Sequence, residues 1–436
     1  MEKEDNLMEK IVSLCKRRGF IFQSSEIYGG AAAAYDYGPL GVELKNNLKR
    51  LWWEEMVKTR ENVVGLDAAI FMHPRVWQAS GHLAEFTDLL QECKKCHHRF
   101  REKDLPDSKC PMCGGELTKP RAFNLMFETY LGPVKDEASR IFLRPETAQG
   151  IYVDYKSVQN AMRLKPPFGI AQIGKAFRNE ITPGNFTFRT VEFEQMEMQF
   201  FIDPKEDKKW FNYWRKERLK WYLENLGLKK ENIRFYKHKR KELAHYAKEA
   251  VDIEYKMPFG WQEIEGIHNR TDFDLKAHEK LSGKDLKYYN KEAEKKFIPY
   301  IIETSGGVDR AALAIFLDAY TEEEVRGKKR VVMKFKPQLA PFKVAVLPLL
   351  SNRKKLTEKA REIYEDLKNC YHSWYDEAGS IGRRYRRQDE VGTPYAITID
   401  FDTLKDDTVT VRDRDTMVQE RVKIGELRDY LFKKLM

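Results

Sequence analysis

Residues Arg178 to Phe201 constrain this chain more than any other stretch, because they read as strand, polar loop and strand with charge gathered around the loop. Arg178 and Glu180 stand near the end of the first strand, and Arg189 closes the loop. The second strand, Val191 to Phe201, sets Glu192, Glu194 and Glu197 among Val191, Phe193, Met196 and Met198. Alternation at period two places one such set on one face of a sheet. A soluble protein has little reason to line a sheet face with arginine and glutamate together unless something charged at both ends lies on it. ATP beside an amino acid is such a thing, since phosphates need cations and an ammonium needs carboxylates. The plain alternative is an exposed hairpin with ordinary salt bridges.

At 436 residues the chain has room for two or three domains with ample core. Hydrophobic residues at 42% and charged residues at 33% fit a well-solvated globular protein rather than a membrane or disordered one. The formal net charge of +10 suits a polyanionic partner, because phosphate contacts dominate nucleic-acid affinity. No apolar run is long enough to span a bilayer, and the charged start Met1 to Lys10 is no signal peptide. The expected location is the cytoplasm, with no membrane partner. Cys15 and Cys370 fall in expected helices and read as buried thiols.

The other four cysteines form two Cys-x-x-Cys pairs, Cys93/Cys96 and Cys110/Cys113, with thirteen residues between them. In a reducing compartment that spacing means metal rather than disulfides. Four thiolates fill a tetrahedral Zn²⁺ and leave no open position for catalysis, so the expectation is a structural zinc ribbon over about residues 92–119. His97 and His98 are alternatives for one ligand or plain surface residues.

Helical spacing predicts an amphipathic helix over 7–18 and a long one from Val42 to Lys58, carrying Leu44, Leu48, Leu51, Trp52 and Met56, with a small-residue loop from Tyr28 to Gly41 between them. Its apolar stripe suits either a partner subunit or its own domain. Strands are expected over 63–72 with a halt at Pro74, and over 124–130, 141–144, 169–177 and 191–201. Residues 205–250 are basic and helical in pattern, with Trp210, Tyr213, Trp214 and Trp221 among lysines and arginines. That is either a nucleic-acid face or a solvated helix with a buried aromatic side. A strand over 297–303 is expected to turn at Ser305-Gly306-Gly307 into a helix from Arg310 to Ala319. The prolines of Lys334 to Pro341 mark a domain boundary. Beyond it the pattern is βαβ: strand 342–349, helix 353–369, strands 395–401 and 408–413, helix 424–434.

Arg178-Asn179-Glu180-Ile181-Thr182-Pro183, with Phe186 to Arg189 and Phe193-Glu194-Gln195-Met196-Glu197, resembles motif 2 of the class II aminoacyl-tRNA synthetases, in wording close to the glycyl-tRNA synthetases. Leu143-Arg144-Pro145-Glu146-Thr147-Ala148-Gln149-Gly150 is similar to a segment distinctive of the glycyl family. Ile302 to Arg310 resembles motif 3, with Thr304 where the family usually has proline. The helix, strand and proline of about residues 39–74 follow the order of motif 1, which forms the dimer interface in class II synthetases. Trp261 to Ile267 and Asn269 to Leu275 also match.

The resemblance covers nearly the whole chain and implies an α+β fold: a class II antiparallel sheet flanked by helices over 1–336, with motif 2 at about 170–201 and motif 3 at about 297–319. A zinc-ribbon insertion, a basic helical insertion with following strands at 205–290, and an anticodon-binding α/β domain at 337–436 complete it. It implies a glycine-tRNA ligase that forms glycyl-adenylate from glycine and ATP with Mg²⁺, then loads tRNA-Gly, as a homodimer. Arg178, Glu180 and Arg310 are implied as catalytic. Asn179, Phe188, Arg189, Phe193, Glu263, Ile264, Gly307 and Asp309 join them around ATP. Arg101, Glu146, Phe193, Glu194, Gln195, Glu197, Glu303, Thr304, Ser305 and Gly306 are implied around glycine. Glu303 is a candidate for Mg²⁺ as well. Arg383, Arg384, Arg386 and Arg387, clustered around Tyr385, suit RNA backbone contact plus base stacking, or else a solvated charged loop. The competing expectations are a class II synthetase-like nucleic-acid-binding accessory protein, which would be expected to lose Arg178, Glu197 or Arg310, and a synthetase for another small amino acid.

Overall fold

The computed structural model describes residues 2–243 and 247–435, with side chains from Leu7 onward. Its centre is a seven-stranded sheet of β1 (Val63–Gly65), β2 (Phe168–Phe177), β3 (Glu192–Ile202), β4 (Ile233–Lys237), β5 (Glu249–Met257), β6 (Gly260–Thr271) and β7 (Tyr300–Gly307), in the order β4-β5-β6-β7-β3-β2-β1. All neighbours are antiparallel except β1 and β2. β2 and β3 are long because the polar loop between them returns the chain directly, with Glu197 opposite Gln172.

The side-chain period of two fixes which residues share a face. Met196, Met198, Phe200 and Ile202 enter the main core, so Glu192 and Glu194 lie on their side, while Phe193, Gln195, Glu197 and Gln199 face the other way. The three glutamates of β3 therefore do not line one face, as their interleaving suggested. They fall on two parities, and the pleat separates them.

The core face is covered by α1 (Glu2–Arg18), α2 (Pro39–Trp53), α4 (Asp207–Glu224) and α6 (Val308–Ala319), counting α3 (Ala148–Ala161) and α5 (Phe273–Ser282) in chain order. α3 and α5 instead cover one end of the polar face through Ile151, Tyr155, Leu275, Phe168 and Phe201. The stripe of α2, Leu40, Leu44, Leu48 and Trp52, packs inside its own subunit. Likewise α4 buries Phe211, Trp214, Trp221 and Tyr222 against the sheet, and Arg218 pairs with Glu265 at 2.6 Å. Residues 205–290 supply α4, α5 and three strands of the main sheet, so the basic helix is followed by strands β4 to β6 that belong to the central layer.

Several boundaries differ from the sequence reading. The strand expected over 63–72 breaks after Gly65, where a Cβ would lie 2.4 Å from Trp53, and 71–72 pairs with 140–143 elsewhere. Pro74 opens the helix Pro74–Ala79 instead of ending a strand, its fixed φ suiting the first helical position. Ser305-Gly306-Gly307 does not turn; β7 runs through it and α6 starts at Val308.

A hairpin, Tyr320–Val325 with Lys328–Met333, leads to the second domain. It comprises β8 (Val344–Pro348), α7 (Lys354–Leu367), β9 (Ser373–Tyr375), α8 (Ile381–Val391), β10 (Tyr395–Ile399), β11 (Thr408–Asp413), β12 (Gln419–Lys423) and α9 (Leu427–Leu435), with strand order β9-β8-β10-β11-β12. It has its own core around Val346, Leu356, Ile363, Ile397 and Leu431. The arginine-rich segment forms a helix, not a loop. Cys15 is buried, whereas Cys370 is exposed just beyond α7. Among the described residues no helix is long and apolar enough to cross a membrane.

Candidate active site

The polar face of the sheet becomes a floor where α3 and α5 leave it open. Gln195 and Glu197 from β3 lie opposite Gly307 and Ser305 from β7, and Gln199 lies opposite Glu303. The segment Glu146-Thr147, just ahead of α3, closes one side. Thr147 donates its hydroxyl to Glu197 and its N–H to Gln195 at 3.1 Å. Gln199 bridges Glu197 at 2.8 Å and Glu303 at 2.9 Å through its amide, and Gln195 donates to Ser305 at 3.3 Å.

The carboxylates here are unequally matched. Glu303 accepts from His268 at 2.6 Å and from Arg270 at 3.2 Å. Burial opposes its charge, but Arg270 and His268 outweigh burial and hold its pKa far below the ordinary value. Glu146 accepts from Gln149 at 3.0 Å and has His82 at 3.5 Å. Burial again opposes ionisation, and His82 and Arg270 bring it down to about 2. Glu197 has no ion-paired cation among the described residues, and burial, then Glu303 and Glu146, push its pKa well up. A small cation placed among Glu146, Glu197 and Ser305 would relieve that imbalance.

Beside this floor lies an open cleft lined by Arg178, Glu180, Phe188, Arg189, Phe193, Glu263, Gly307 and Arg310, among others. Arg178 donates Nε–H to the Pro145 carbonyl at 3.0 Å, and its guanidinium lies 5.3 Å from the rings of both Phe86 and Phe193. Arg310, in the first turn of α6, donates to Phe188 O at 3.3 Å and Glu263 O at 3.0 Å and lies 4.5 Å over the Phe188 ring. Carbonyls and ring faces orient both arginines; Arg310 also pairs with the Glu263 carboxylate at 3.3 Å, whereas Arg178 has no ion pair among the described residues, which suits a polyanion. Burial and the nearby Arg101 lower the Arg189 pKa, another sign of excess positive charge. Asn179 joins the structure through its backbone, with its N–H on Leu125 O at 2.8 Å.

Six residues expected at this site are engaged by other partners, although Glu194 and Asp309 still form part of the cleft wall. Glu194 is on the opposite face, paired with Lys45 at 2.8 Å and Lys49 at 3.1 Å. Asp309 accepts from Tyr37, Lys45 and the Glu194 N–H at 2.7–2.8 Å, so it ties α6 to α2 and β3. Thr304 points into the core face with Met198 and Ile267 as neighbours on β3 and β6. Gly306 is on that face too, where a Cβ would meet Glu265 at 3.0 Å. The Ile264 side chain is core. Glu303 has both oxygens engaged by Gln199, His268 and Arg270, so it orders the floor and is not free for Mg²⁺ or glycine. Strand parity accounts for Glu194, Thr304 and Gly306.

Arg101 belongs to the ribbon and reaches the cleft indirectly. It pairs with Asp104 at 2.8 Å, and Asp104 accepts from Thr182 at 3.1 Å and lies 3.7 Å from Arg189. In the ribbon, Cys93, Cys96, Cys110 and Cys113 place four sulfurs within 4.8 Å of one another. Cys93 and Cys113 are 3.5 Å apart, Cys96 and Cys110 3.6 Å. Sulfurs about 2.3 Å from a tetrahedral zinc stand about 3.8 Å apart, so the set fits that ion. The N–H of Cys96 and Lys95 point at Cys93 and bring its thiol down to about 6. His97 pairs with Glu92 instead of joining the cluster.

The four arginines of α8 divide. Arg384 is fully buried and donates to the carbonyls of Pro348, Leu349, Asp376 and Gly379. Arg387 pairs with Asp376 at 2.7 Å. Tyr385 donates to or accepts from Thr398 at 2.5 Å and lies under Arg412, so it is not open for base stacking. Arg383 and Arg386 keep exposed faces and share a shallow hollow with Arg18 and Lys328.

Thr147, Gln199, His268 and Arg270 were missed as site residues although they stand within or beside recognised segments. His82 and Phe86 carry no pattern in the sequence and meet the site only through folding.

The family model described as "tRNA synthetase class II core domain (G, H, P, S and T)" matches residues 127–320, and the one described as "Anticodon binding domain" matches 343–434. The protein named glycine--tRNA ligase of Treponema denticola is 56% identical over 438 residues, covering 98% of this chain and 97% of its own. Its namesake in Thermobifida fusca is 53% identical over 461 residues, covering 100% and 99%. That of Borreliella burgdorferi is 54% identical over 430 residues, covering 97% and 96%.

Proposed function

Because the chain belongs to the glycine--tRNA ligase family of class II aminoacyl-tRNA synthetases, we propose that the polar floor holds glycine and the adjoining cleft holds ATP. The enzyme activates glycine with ATP and transfers it to tRNA. In the first step a glycine carboxylate oxygen attacks the α-phosphorus, forming glycyl-adenylate as pyrophosphate leaves in line. In the second a terminal hydroxyl of the tRNA attacks the carbonyl of that mixed anhydride and AMP leaves. No side chain forms a covalent bond; positioning and charge stabilisation do the work.

Arg178 takes the α-phosphate, where charge reorganises during displacement. Phe193 and the Arg310 guanidinium flank the adenine, with Arg310 also in reach of the terminal phosphates. Glu180, whose Oε2 is buried without a hydrogen-bond partner among the described residues, orients the nucleotide, aided by Glu263 and Arg189. Class II synthetases use ATP with Mg²⁺, which when bound neutralises phosphate charge; Glu263 at the cleft wall is a carboxylate suited to it. Glu146 and Glu197 receive the glycine ammonium, and Ser305 and Gln195 bond the small substrate. Steric exclusion from this packed floor rejects larger side chains.

The reading also includes a structural zinc in the four-cysteine ribbon, a catalytic unit over 1–336, tRNA-Gly contact by the 337–436 domain, a cytoplasmic location and a homodimer. Ile27 and Tyr28, almost fully exposed ahead of α2, are apolar side chains that a partner subunit would cover.

The observation that carries this reading is the buried Glu197 beside Glu146, with no ion pair of its own among the described residues. Glu197→Gln keeps the shape and removes the charge. Glycine binding followed by calorimetry should weaken by about 2–5 kcal/mol, with an ATP analogue little affected. Glycine bound as tightly as by the unmodified enzyme would place the amino-acid pocket elsewhere.

A further inference from the structure

Just before the zinc ribbon, the turn Ser80-Gly81-His82 brings one imidazole against the glycine side of the site. His82 Nδ1 is 2.7 Å from Ser80 Oγ, and the Trp77 carbonyl is 3.3 Å from the same oxygen. With the Ser80 proton on the shorter contact, Nδ1 accepts and the ring proton stands on Nε2. The other ring nitrogen, Nε2, lies 3.5 Å from Glu146 Oε2. The ring is held edge-on by Trp77 at 5.5 Å and flanked by Phe86 at 5.2 Å. Asn124 clamps the backbone below it, donating to His82 O at 3.0 Å and Leu83 O at 3.2 Å. His82 thus has few orientations available, and both nitrogens have an oxygen partner.

We propose that His82 is a positioning residue for the amino-acid substrate: held by Ser80, it fixes one oxygen of Glu146 so that the other meets the glycine ammonium. This rests on the reading that Glu146 binds that ammonium. Glu146 has two lateral supports, and they differ in kind. Gln149 holds Oε1 as a neutral donor and is itself tied to His278 at 2.8 Å. His82 is the only ionisable group among the described residues paired directly with Glu146. Without it the carboxylate keeps one neutral hydrogen bond, gains rotational freedom and loses the nearest support for its charge. His82 touches neither ATP-side arginine, so its effect is confined to glycine. The same segment does reach the ATP side, through Phe86 beneath Arg178, which provides an internal control.

The test compares steady-state glycine and ATP parameters in His82→Asn, His82→Gln, Ser80→Ala and Glu146→Gln, with thermal melts of each. Asn retains a group near Nδ1 and loses the reach to Glu146; Gln can place an amide N–H near the Nε2 position. His82→Asn should raise the glycine KM about tenfold or more, as loss of a bond to a charged group does, with ATP KM unchanged. His82→Gln should recover most of the loss. Ser80→Ala, a milder change that keeps the ring, should raise glycine KM by a smaller factor, and it decides the matter if His82→Asn does not fold. A glycine KM unmoved by His82→Asn or by Ser80→Ala while Glu146→Gln raises it overturns this inference alone. Equal rises in glycine and ATP KM, or no recovery in His82→Gln, also overturn it by making the role merely structural. If Glu146→Gln itself leaves glycine KM unchanged, the reading of Glu146 falls first and this inference with it.

Discussion

In the cleft, Arg178 gives one hydrogen bond from Nε to a carbonyl, and its guanidinium leans on two phenylalanine rings. In α8, Arg384 gives its Nη groups to four carbonyls and is 1% exposed. Both belong to basic clusters that look alike on paper. The difference lies in what the fold supplies around them. A loop that presents many carbonyls to one guanidinium absorbs its hydrogen-bonding capacity and turns it into a structural tie. A site that supplies one carbonyl and ring faces aims the group and leaves its charge available. Carboxylates of the polar floor repeat the contrast: Glu303 is engaged by Arg270, His268 and Gln199, while the hydrogen-bond donors to Glu197 among the described residues, Gln199 and Thr147, are neutral.

The largest expected effect breaks the comparison most directly. Arg178→Ala should slow adenylate formation, read as glycine-dependent ATP–pyrophosphate exchange, by roughly 3 kcal/mol or more in the barrier while the melting curve stays put. A variant that instead unfolds would make Arg178 another Arg384. The reciprocal change, Arg384→Ala, should cost about 2–3 kcal/mol of stability in denaturant titration, because buried carbonyls lose their donor. Exchange activity per folded molecule should be retained.

Acid titration sharpens the carboxylate half. Burial opposes the Glu146 charge, but His82 and Arg270 hold its pKa down to about 2, well below the ordinary carboxylate range. A depressed carboxylate stabilises the fold above its ordinary value and loses that contribution as pH falls through the folded value. Glu146→Gln should therefore flatten the acid limb of stability between about pH 4.5 and 2, by on the order of 1–3 kcal/mol. Glu197, raised by burial and its neighbours, works in the other direction and loses stability as pH rises through its folded value. An unchanged acid limb in Glu146→Gln would mean His82 and Arg270 do not support its charge.

The smallest effect concerns the arginines of α8 that keep an exposed face. Arg383→Ala and Arg386→Ala should each weaken tRNA binding modestly and reduce the salt slope of log affinity by about 1, with glycine activation untouched. Unaltered tRNA affinity and slope in both would leave α8 wholly structural.

Much of the chemistry could be read from the sequence because its motifs are local. The cysteine knuckles, Glu146-Thr147, Arg178 to Arg189 and Ser305 to Arg310 each bring several functional groups within a few residues of one another, where spacing alone carries the signal. The seams between elements were less legible. The glycines of Ser305-Gly306-Gly307 suggested a turn, but hydrogen bonding to β3 on one side and β6 on the other keeps them in a strand. The aromatic and basic residues of 205–250 leave two readings open, and the sheet decides between them by covering the aromatic side of α4.

By itself, the sequence determined the family, the order of the domains, the four-cysteine cluster that could hold a metal and the charged groups available to the site, since these depend on residue identity and short spacing. Tertiary structure decided which of those groups are free. The pleat turns the Thr304 side chain and the Glu194 carboxylate to the core face, and distant segments supply the partners that engage Asp309 and Arg384. His82 entered for the same reason, brought to Glu146 from 64 residues away by the fold. Spacing in the chain cannot report contacts made across it, and in a buried polar site the contacts across it set each group's charge and direction.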